Sequence, residues 1–311
     1  MEYYKILNFR QEPFSNSPDP QLFFQSSQHV ICLQRLEIAV RLRRGLSVVT
    51  GAVGTGKTTL CRQIILRFSS SEEDKKNIIP YLILDPSFSS PLEFLSNIAL
   101  TFGLSQFNEN LSEWQFKEMI KNYLFEKGIN EGKVVILIID EGQKLPHFCL
   151  EILREFLNYE TNEHKLLQII IFAQREFEQA LKTHANLADR VNDHCFLKPL
   201  NFRETSAMVK FRIKKASGEN REISFFTFMG ILAIYKATGG YPRKIMILCH
   251  HAILTLIIHN QHKAGWFLVR ACARRGETIG SSKKLKWVIT TVVFLLFAVL
   301  IAAGWFATNK G

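Results

Sequence analysis

The sequence predicts an α/β chain in which a parallel sheet carries helices on both faces, followed by a smaller all-helical unit and one transmembrane helix. Three observations predict it. Short β-branched runs alternate with helical stretches up to residue 200, strand patterns then stop while helical spacing continues, and twenty uncharged residues run from Trp287 to Phe306. A chain of 311 residues can bury such a core beside a second domain, and 47% apolar with 22% charged residues excludes a disordered polymer.

Residues 1–28 are rich in Pro, Ser, Phe and Tyr and read as irregular, with no basic stretch ahead of an apolar run, so no secretory signal is expected. A helical pattern covers Gln28 to Arg44 through Val30, Leu33, Leu36, Ile38 and Val40. Leu46–Thr50 reads as a buried strand, followed by a glycine-rich turn and a helix from Lys57 to Phe68. Residues 69–77 (SSSEEDKKN) read as a surface loop by charge and serine content. Further strands are expected at Tyr81–Leu84, Val134–Ile139, Leu166–Ala173 and, more weakly, Cys195–Leu197. Between them, helical spacing marks Pro91–Phe102, Ser112–Glu126 and Pro146–Tyr159. After Leu200 the helices expected are Phe202–Ala216, Ser224–Ala237, Pro242–His259 and Gly265–Arg275.

The six cysteines are scattered without a CxxC pair, the pattern of reduced thiols, and neither the group His184, His194, Cys195 nor the run Cys249-His250-His251 has zinc-ligand spacing. The chemistry lies elsewhere. Gly51-Ala52-Val53-Gly54-Thr55-Gly56-Lys57-Thr58, continued by Thr59, matches GxxxxGK[ST] between a strand and a helix. Glycines let backbone N–H groups close around phosphates, and the helix start adds its positive dipole end. Lys57 would reach the β- and γ-phosphates of ATP, and the Thr58 hydroxyl would ligate Mg²⁺. The strand Val134–Ile139 ends at Asp140-Glu141, some 80 residues later. An aspartate there can hold the magnesium, and the adjoining glutamate can orient or deprotonate the attacking water.

The order of P-loop, acidic strand end, polar residue after the fourth strand and helical unit resembles that of AAA+ ATPases. Within them the chain is similar to the family of general secretion pathway protein A and the related mannose-sensitive pilus biogenesis ATPase. The carrying residues are Tyr4, Pro13-Phe14, Pro18-Asp19-Pro20 and His29; GAVGTGKTTLCR from Gly51; LIIDEGQ from Leu137; LLQIIIFAQ from Leu166; and GGYPRKI from Gly239. The resemblance spans roughly residues 3–275. It implies a P-loop AAA+ three-layer parallel sheet domain over 29–200 and an all-helical lid over 201–277. A basic juxtamembrane linker (278–286), a membrane helix (287–306) and a short tail (307–311) would follow. It further implies that Gln174 reads the γ-phosphate, that Arg243 touches nucleotide in cis, and that Arg190 is donated to a neighbouring subunit's ATP, with Arg175 and Arg203 as alternatives. The sequence departs from the family pattern at Gly142, Lys144, Arg175 and Phe177. Some members carry a periplasmic peptidoglycan-binding domain beyond the membrane helix; here the sequence runs five residues past Phe306, so a cell-wall function is expected of a partner protein.

The apolar run 287–306 would form a helix of roughly 30 Å, the thickness of a bilayer core, with Trp287 and Trp305 at its two ends. Arg274, Arg275, Lys283, Lys284 and Lys286 precede it against Glu277, and only Lys310 follows, which is expected to keep the bulk of the chain on the cytoplasmic side of a bacterial inner membrane. Residues 1–200 hold 22 basic and 24 acidic side chains, whereas 201–286 hold 16 and 4. An anionic lipid leaflet is the plain partner for such a basic body, and nucleic acid is the sharper alternative. The expected function is a membrane-anchored, self-assembling ATPase that assembles or remodels an envelope secretion or pilus apparatus. A nucleic-acid-binding adaptor ATPase and a slow nucleotide-gated switch are the competing classes.

Overall fold

Three strands of this chain are buried along their whole length and mostly apolar, which suits a sheet covered on both faces. The computed structural model describes residues 3–7, 9–15, 22–104, 111–218 and 224–280, and it bears this out. After a short helix α1 (Tyr3–Ile6) come α2 (Ser27–Arg41), β1 (Leu46–Gly51), α3 (Lys57–Phe68), α4 (Glu72–Asn77), β2 (Ile78–Ile83), α5 (Pro91–Thr101) and α6 (Glu113–Phe125). Then follow β3 (Val134–Ile139), α7 (His147–Phe156), β4 (Leu167–Ala173), α8 (Phe177–Thr183), α9 (Ala185–Ala188) and β5 (Val191–Leu197). Helices α10 (Phe202–Ser217), α11 (Phe228–Thr238), α12 (Pro242–Ile258) and α13 (Trp266–Gly280) complete the described chain.

The five strands are parallel in the order β2-β3-β4-β1-β5. Alternation along the strands divides the core. Leu46, Val48, Val135, Leu137, Ile139, Ile169 and Ile171 face α5, α6 and α7, while Val49, Ile136, Ile138, Ile170 and Phe172 face α2 and α3. This is the three-layer arrangement expected. Beyond Leu200, α10 to α13 build a separate core around Val209, Ile234, Ile245, Cys249 and Ile253.

Several boundaries differ from the sequence reading. Residues 72–77 form a helix rather than a loop, because Ser71 caps it by accepting from Asp74 N at 3.0 Å and Arg41 grips the Asp74 carboxylate at 2.8 and 3.0 Å. Strand β5 begins at Val191, four residues early, since its exposed edge admits Asn192, Asp193 and His194. The N-terminal segment is not a loose leader. Phe9 and Phe14 are buried in the lid core, edge-on to Phe225 and Phe226, and Arg10 N donates to Ala216 O at 2.8 Å. Each buried phenylalanine is worth about 2–3 kcal/mol, enough to fix the segment to the lid.

All six cysteines are buried and none forms a disulfide. Among the described residues no helix is long and apolar enough to cross a membrane. The expected span 287–306, the tail 307–311, most of the linker 278–286 and Pro18-Asp19-Pro20 lie outside the described residues.

Candidate functional site

Strand order brings the site together. β4 lies between β1 and β3, with Ala173 paired to Thr50 on one side and Ile171 paired to Ile139 on the other. Gly51, which ends β1, and Gln174 and Asp140, which follow β4 and β3, therefore converge at one end of the sheet. In open parallel α/β sheets that carboxyl end is where ligands bind.

The loop from Gly51 to Gly56 wraps the start of α3. Gly54 and Gly56 have φ of 80° and 102°, values that glycine adopts without steric cost. Close neighbours reinforce the choice: a Cβ on Gly54 would stand 3.0 Å from Arg243 Cβ, and one on Gly51 would stand 2.9 Å from Leu197 O. Lys57 is 6% exposed, and its Nζ donates to Gly51 O at 2.8 Å and Ala52 O at 3.1 Å. Burial lowers its pKa, against the pull of Glu141, Asp140 and Glu176. Thr55 is fully buried and donates to Ala52 O at 2.9 Å; Val53, Thr58 and Thr59 line the same cleft.

Asp140 is 3% exposed. Burial raises its pKa, while hydrogen bonds from the Thr58 hydroxyl and from Glu141 N, the latter at 2.9 Å, oppose the rise. Glu141 has φ of 53°, the left-handed region, which costs a non-glycine residue about 1–2 kcal/mol. The reason lies in the next residue, which crosses β4 so closely that a Cβ on Gly142 would stand 2.3 Å from Ile171 Cγ2. The departure from the family pattern at Gly142 thus has a steric cause. Of the others, Lys144 pairs with Asp85 at 3.2 Å, the Arg175 guanidinium lies over the Phe196 ring at 4.6 Å, and Phe177 is buried in the sheet core.

The Glu141 carboxylate is held by amides. Gln143 Nε2 donates to Oε2 at 2.5 Å, and Gln174 Nε2 approaches the same oxygen at 3.5 Å. The Gln143 side-chain carbonyl in turn accepts from Gln174 N at 2.9 Å, so one side chain ties the acidic residue to the end of β4.

The lid reaches this cluster at its own helix start. Arg243 N donates to Gly54 O at 3.3 Å, and the Arg243 side chain is exposed beside the P-loop. Between lid and sheet lies a cleft of about 330 Å³, whose apolar end is formed by Phe23, Leu200, Met208 and Met246. Two residues there had been given no role. His29 is 2% exposed and joins Ser26 Oγ (2.8 Å) to Thr55 O (3.1 Å). The Thr55 carbonyl can only accept, so Nε2 carries the proton and Nδ1 accepts from Ser26. Burial holds His29 below its ordinary pKa, against Thr55 O and Glu204. Arg212, 4% exposed on α10, lines the cleft amid Met208, Val209 and Ile213; an arginine on an otherwise apolar helix face was the available signal.

Arg190 is not part of this cluster. It precedes β5, whose Val191 pairs with Leu46 at the opposite end of β1 from the P-loop. Six residues of strand separate it from Gly51, roughly 20 Å. It lines a second cleft with Arg154, Lys165, Asn186, Asp189 and Asn192. Arg203 is exposed at the start of α10.

These features are those of an AAA+ fold, and residues 40–181 match the AAA domain family. The chain is 30% identical over 305 residues to general secretion pathway protein A of Aeromonas hydrophila, an alignment covering 97% of this chain and 53% of that protein. It thus spans about half the length of that relative. Among solved structures it resembles the Aeropyrum pernix ORC2 protein in ADPNP–ADP complexes (TM-score 0.61, 14% identity, 86% of this chain and 72% of that one). Drosophila ORC bound to DNA gives 0.62 at 14% identity over 88% and 68%, and the Thermotoga maritima RuvB branch migration motor 0.52 at 15% over 82% and 72%. Identities this low show the fold alone. By class the chain has the AAA+ fold and carries an AAA domain over residues 40–181. More particularly, it is related to general secretion pathway protein A.

Proposed function

We propose that this protein hydrolyses ATP at the carboxyl end of its sheet and uses the lid to pass the stroke to an envelope secretion or pilus apparatus at the bacterial inner membrane. The observation that carries the chemistry is the bridged group Glu141–Gln143–Gln174 beside the P-loop. Lys57 would leave its resting contacts with the Gly51 and Ala52 carbonyls to meet the phosphates. Glu141 would orient and deprotonate the attacking water, and Gln174 would sense the γ-phosphate. The Thr58 hydroxyl and the Asp140 carboxylate, hydrogen-bonded to each other, are hard oxygen donors of the kind Mg²⁺ accepts, so this pair fits the ion. When bound, Mg²⁺ would neutralise charge building on the phosphates. The apolar end of the cleft suits the base, with Arg243 closing over the nucleotide from the lid.

Arg190 stands too far from its own P-loop to serve it, which supports a role in trans and hence a homo-oligomer. The run 287–306 supports membrane attachment, and the likeness to general secretion pathway protein A supports the envelope role. The basic lid favours one other reading, a nucleic-acid-binding AAA+ protein; the Drosophila neighbour was solved bound to DNA. Phosphate release by the full chain in detergent or vesicles tests the first reading. No turnover above the Lys57→Ala variant refutes hydrolysis, and recovery of the chain in a carbonate supernatant refutes the anchor. ATPase stimulation by duplex DNA but not by lipid transfers the case to the second reading.

A further inference from the structure

Between Ser224 and Arg275 the lid carries seven Lys or Arg residues and no Asp or Glu. Its exposed apolar side chains are equally uneven. The three most exposed large apolar residues among those described are Phe267 (87%), Ile258 (77%) and Phe228 (70%). All three lie at one end of the lid, where α12 ends and α11 and α13 begin. Thr227 N donates to Ala264 O at 3.1 Å, which holds the α11 start beside the α13 start. Cys272 Sγ meets Thr255 Oγ1 at 3.4 Å, which sets α13 antiparallel to α12 with Ile258 near the same end.

Helix α13 extends this end into a stripe. Phe267, Arg270, Ala271 and Arg274 are exposed, and at 100° per residue they fall within about 100° of one another. Val269 and Cys272 point the other way, into the lid core. Trp266 at the stripe's edge is flanked by Lys236 and Arg270, each 5.8 Å from its ring centroid. An exposed aromatic side chain beside arginines suits contact with a headgroup layer, where aromatic rings sit at the interface and basic side chains meet anionic lipid.

We infer that the outward stripe of α13 lies flat on an anionic bilayer surface, with Phe267 entering the headgroup region and Arg270 and Arg274 meeting lipid phosphates. The inference rests on the membrane attachment proposed above and adds to it an orientation. Six residues separate Gly280 from Trp287, a reach of about 20 Å at most, so an inserted 287–306 run keeps the end of α13 close to the membrane. A helix standing upright from that point would carry Phe267 about 20 Å away from the lipid. One lying flat brings both Phe267 and Arg274 into contact. Charge favours the same arrangement, because an anionic surface attracts each basic residue near it, and Arg270, Arg274 and Arg275 outnumber Glu277, the one acidic residue of the helix. Duplex DNA would use the arginines but has no need of an exposed phenylalanine beside them.

The test uses the full chain reconstituted into vesicles of phosphatidylcholine with or without phosphatidylglycerol. Phe267→Cys is spin-labelled without removing the six buried native cysteines, and Trp114→Cys on the sheet domain is the aqueous control. With phosphatidylglycerol present, collision of the 267 label with an aqueous nickel complex should fall several-fold relative to the 114 label. Arg270→Glu with Arg274→Glu, or molar salt, should restore it, since the screening length at 1 M is about 3 Å. A label at 267 as accessible as that at 114, in chains that still float with vesicles after carbonate washing, overturns the inference and leaves the anchor standing. Chains that do not float overturn both. Shielding of the 267 label by duplex DNA but not by phosphatidylglycerol vesicles overturns the inference in favour of nucleic acid. Retained ATPase activity in each labelled chain certifies its fold.

Discussion

The sheet domain and the lid handle charge in opposite ways. The first 200 residues hold nearly equal numbers of acidic and basic side chains, and of their buried charged groups Lys57 and Asp140 sit in one cluster at the strand ends, while Asp74 is paired with Arg41. The lid carries its charge mostly outside and mostly of one sign, with Arg212 the exception buried at the cleft. Near the P-loop it commits little more than a helix start, with Arg243 and the wall residue Arg212. A preorganised polar cluster costs no rearrangement during reaction and suits chemistry. A second body hinged on a few contacts suits the conversion of nucleotide state into movement. The comparison teaches that turnover should depend on the sheet, and affinity and coupling on the lid.

The largest expected effect tests that division across subunits. Arg190→Ala should lower turnover about 10⁴-fold while leaving nucleotide affinity unchanged, as for other cations supplied in trans. Mixing it with Lys57→Ala should restore activity, because one interface would then pair an intact P-loop with an intact Arg190. A co-assembled mixture as inactive as its parts moves the role to Arg175 or Arg203. Next, Glu141→Gln should retain ATP and slow hydrolysis about 10³-fold, measured in single turnover; wild-type turnover would place the base elsewhere. Gln143→Ala leaves the carboxylate present but unsupported, and kcat should drop about 10–100-fold with KM held. A change in KM alone would show that Gln143 serves binding instead. On the lid side, Arg243→Ala should weaken nucleotide binding about tenfold, near 1.4 kcal/mol, with bound-state turnover little altered; the reverse pattern would break the comparison.

The smallest effect concerns the joint between the two regions. Burial lowers the pKa of His29 from its ordinary 6.5. The unfolded chain therefore takes up the proton first as pH falls, so the stability this site contributes is present above about pH 6.5 and is lost as pH falls toward the folded value. Melting curves of wild type and His29→Gln should diverge above pH 6.5 by about 1 kcal/mol and converge below it. Parallel curves across that range would show that Ser26–His29–Thr55 does not depend on the neutral imidazole.

Legibility differed between the two regions as well. β1, β3 and β4 are buried throughout and mostly apolar because both faces are covered, so each reads from sequence as a near-continuous run. The β5 edge alternates and admits Asn192 and Asp193, which hides its first half. α4 reads as a loop because its serine and charge content masks the local cap at Ser71, and its other support, the grip of Arg41 on Asp74, is tertiary. Lys57, Thr58, Asp140 and Glu141 follow from spacing, since phosphate chemistry fixes a glycine-rich turn and a strand end. The bridging by Gln143 and the position of Arg212 in the cleft depend on which strands and helices become neighbours, and no local period encodes that. The same holds for Phe9 and Phe14, whose partners lie some two hundred residues further along the chain.

That last separation bears on how the protein is made. The lid core needs Phe9 and Phe14 together with Val209, Ile234 and Cys249, so it cannot close until most of the chain has left the ribosome. At about 5–20 residues per second, two hundred residues take roughly 10–40 s. By the end of that interval the sheet domain has emerged whole and can fold ahead of the lid, because its strands and helices lie wholly between Ser27 and Leu197. The aromatic N-terminal segment waits beside it without a partner. A chaperone that binds exposed aromatic segments on nascent chains should find this one early, and should release it only as α10 and the helices after it emerge.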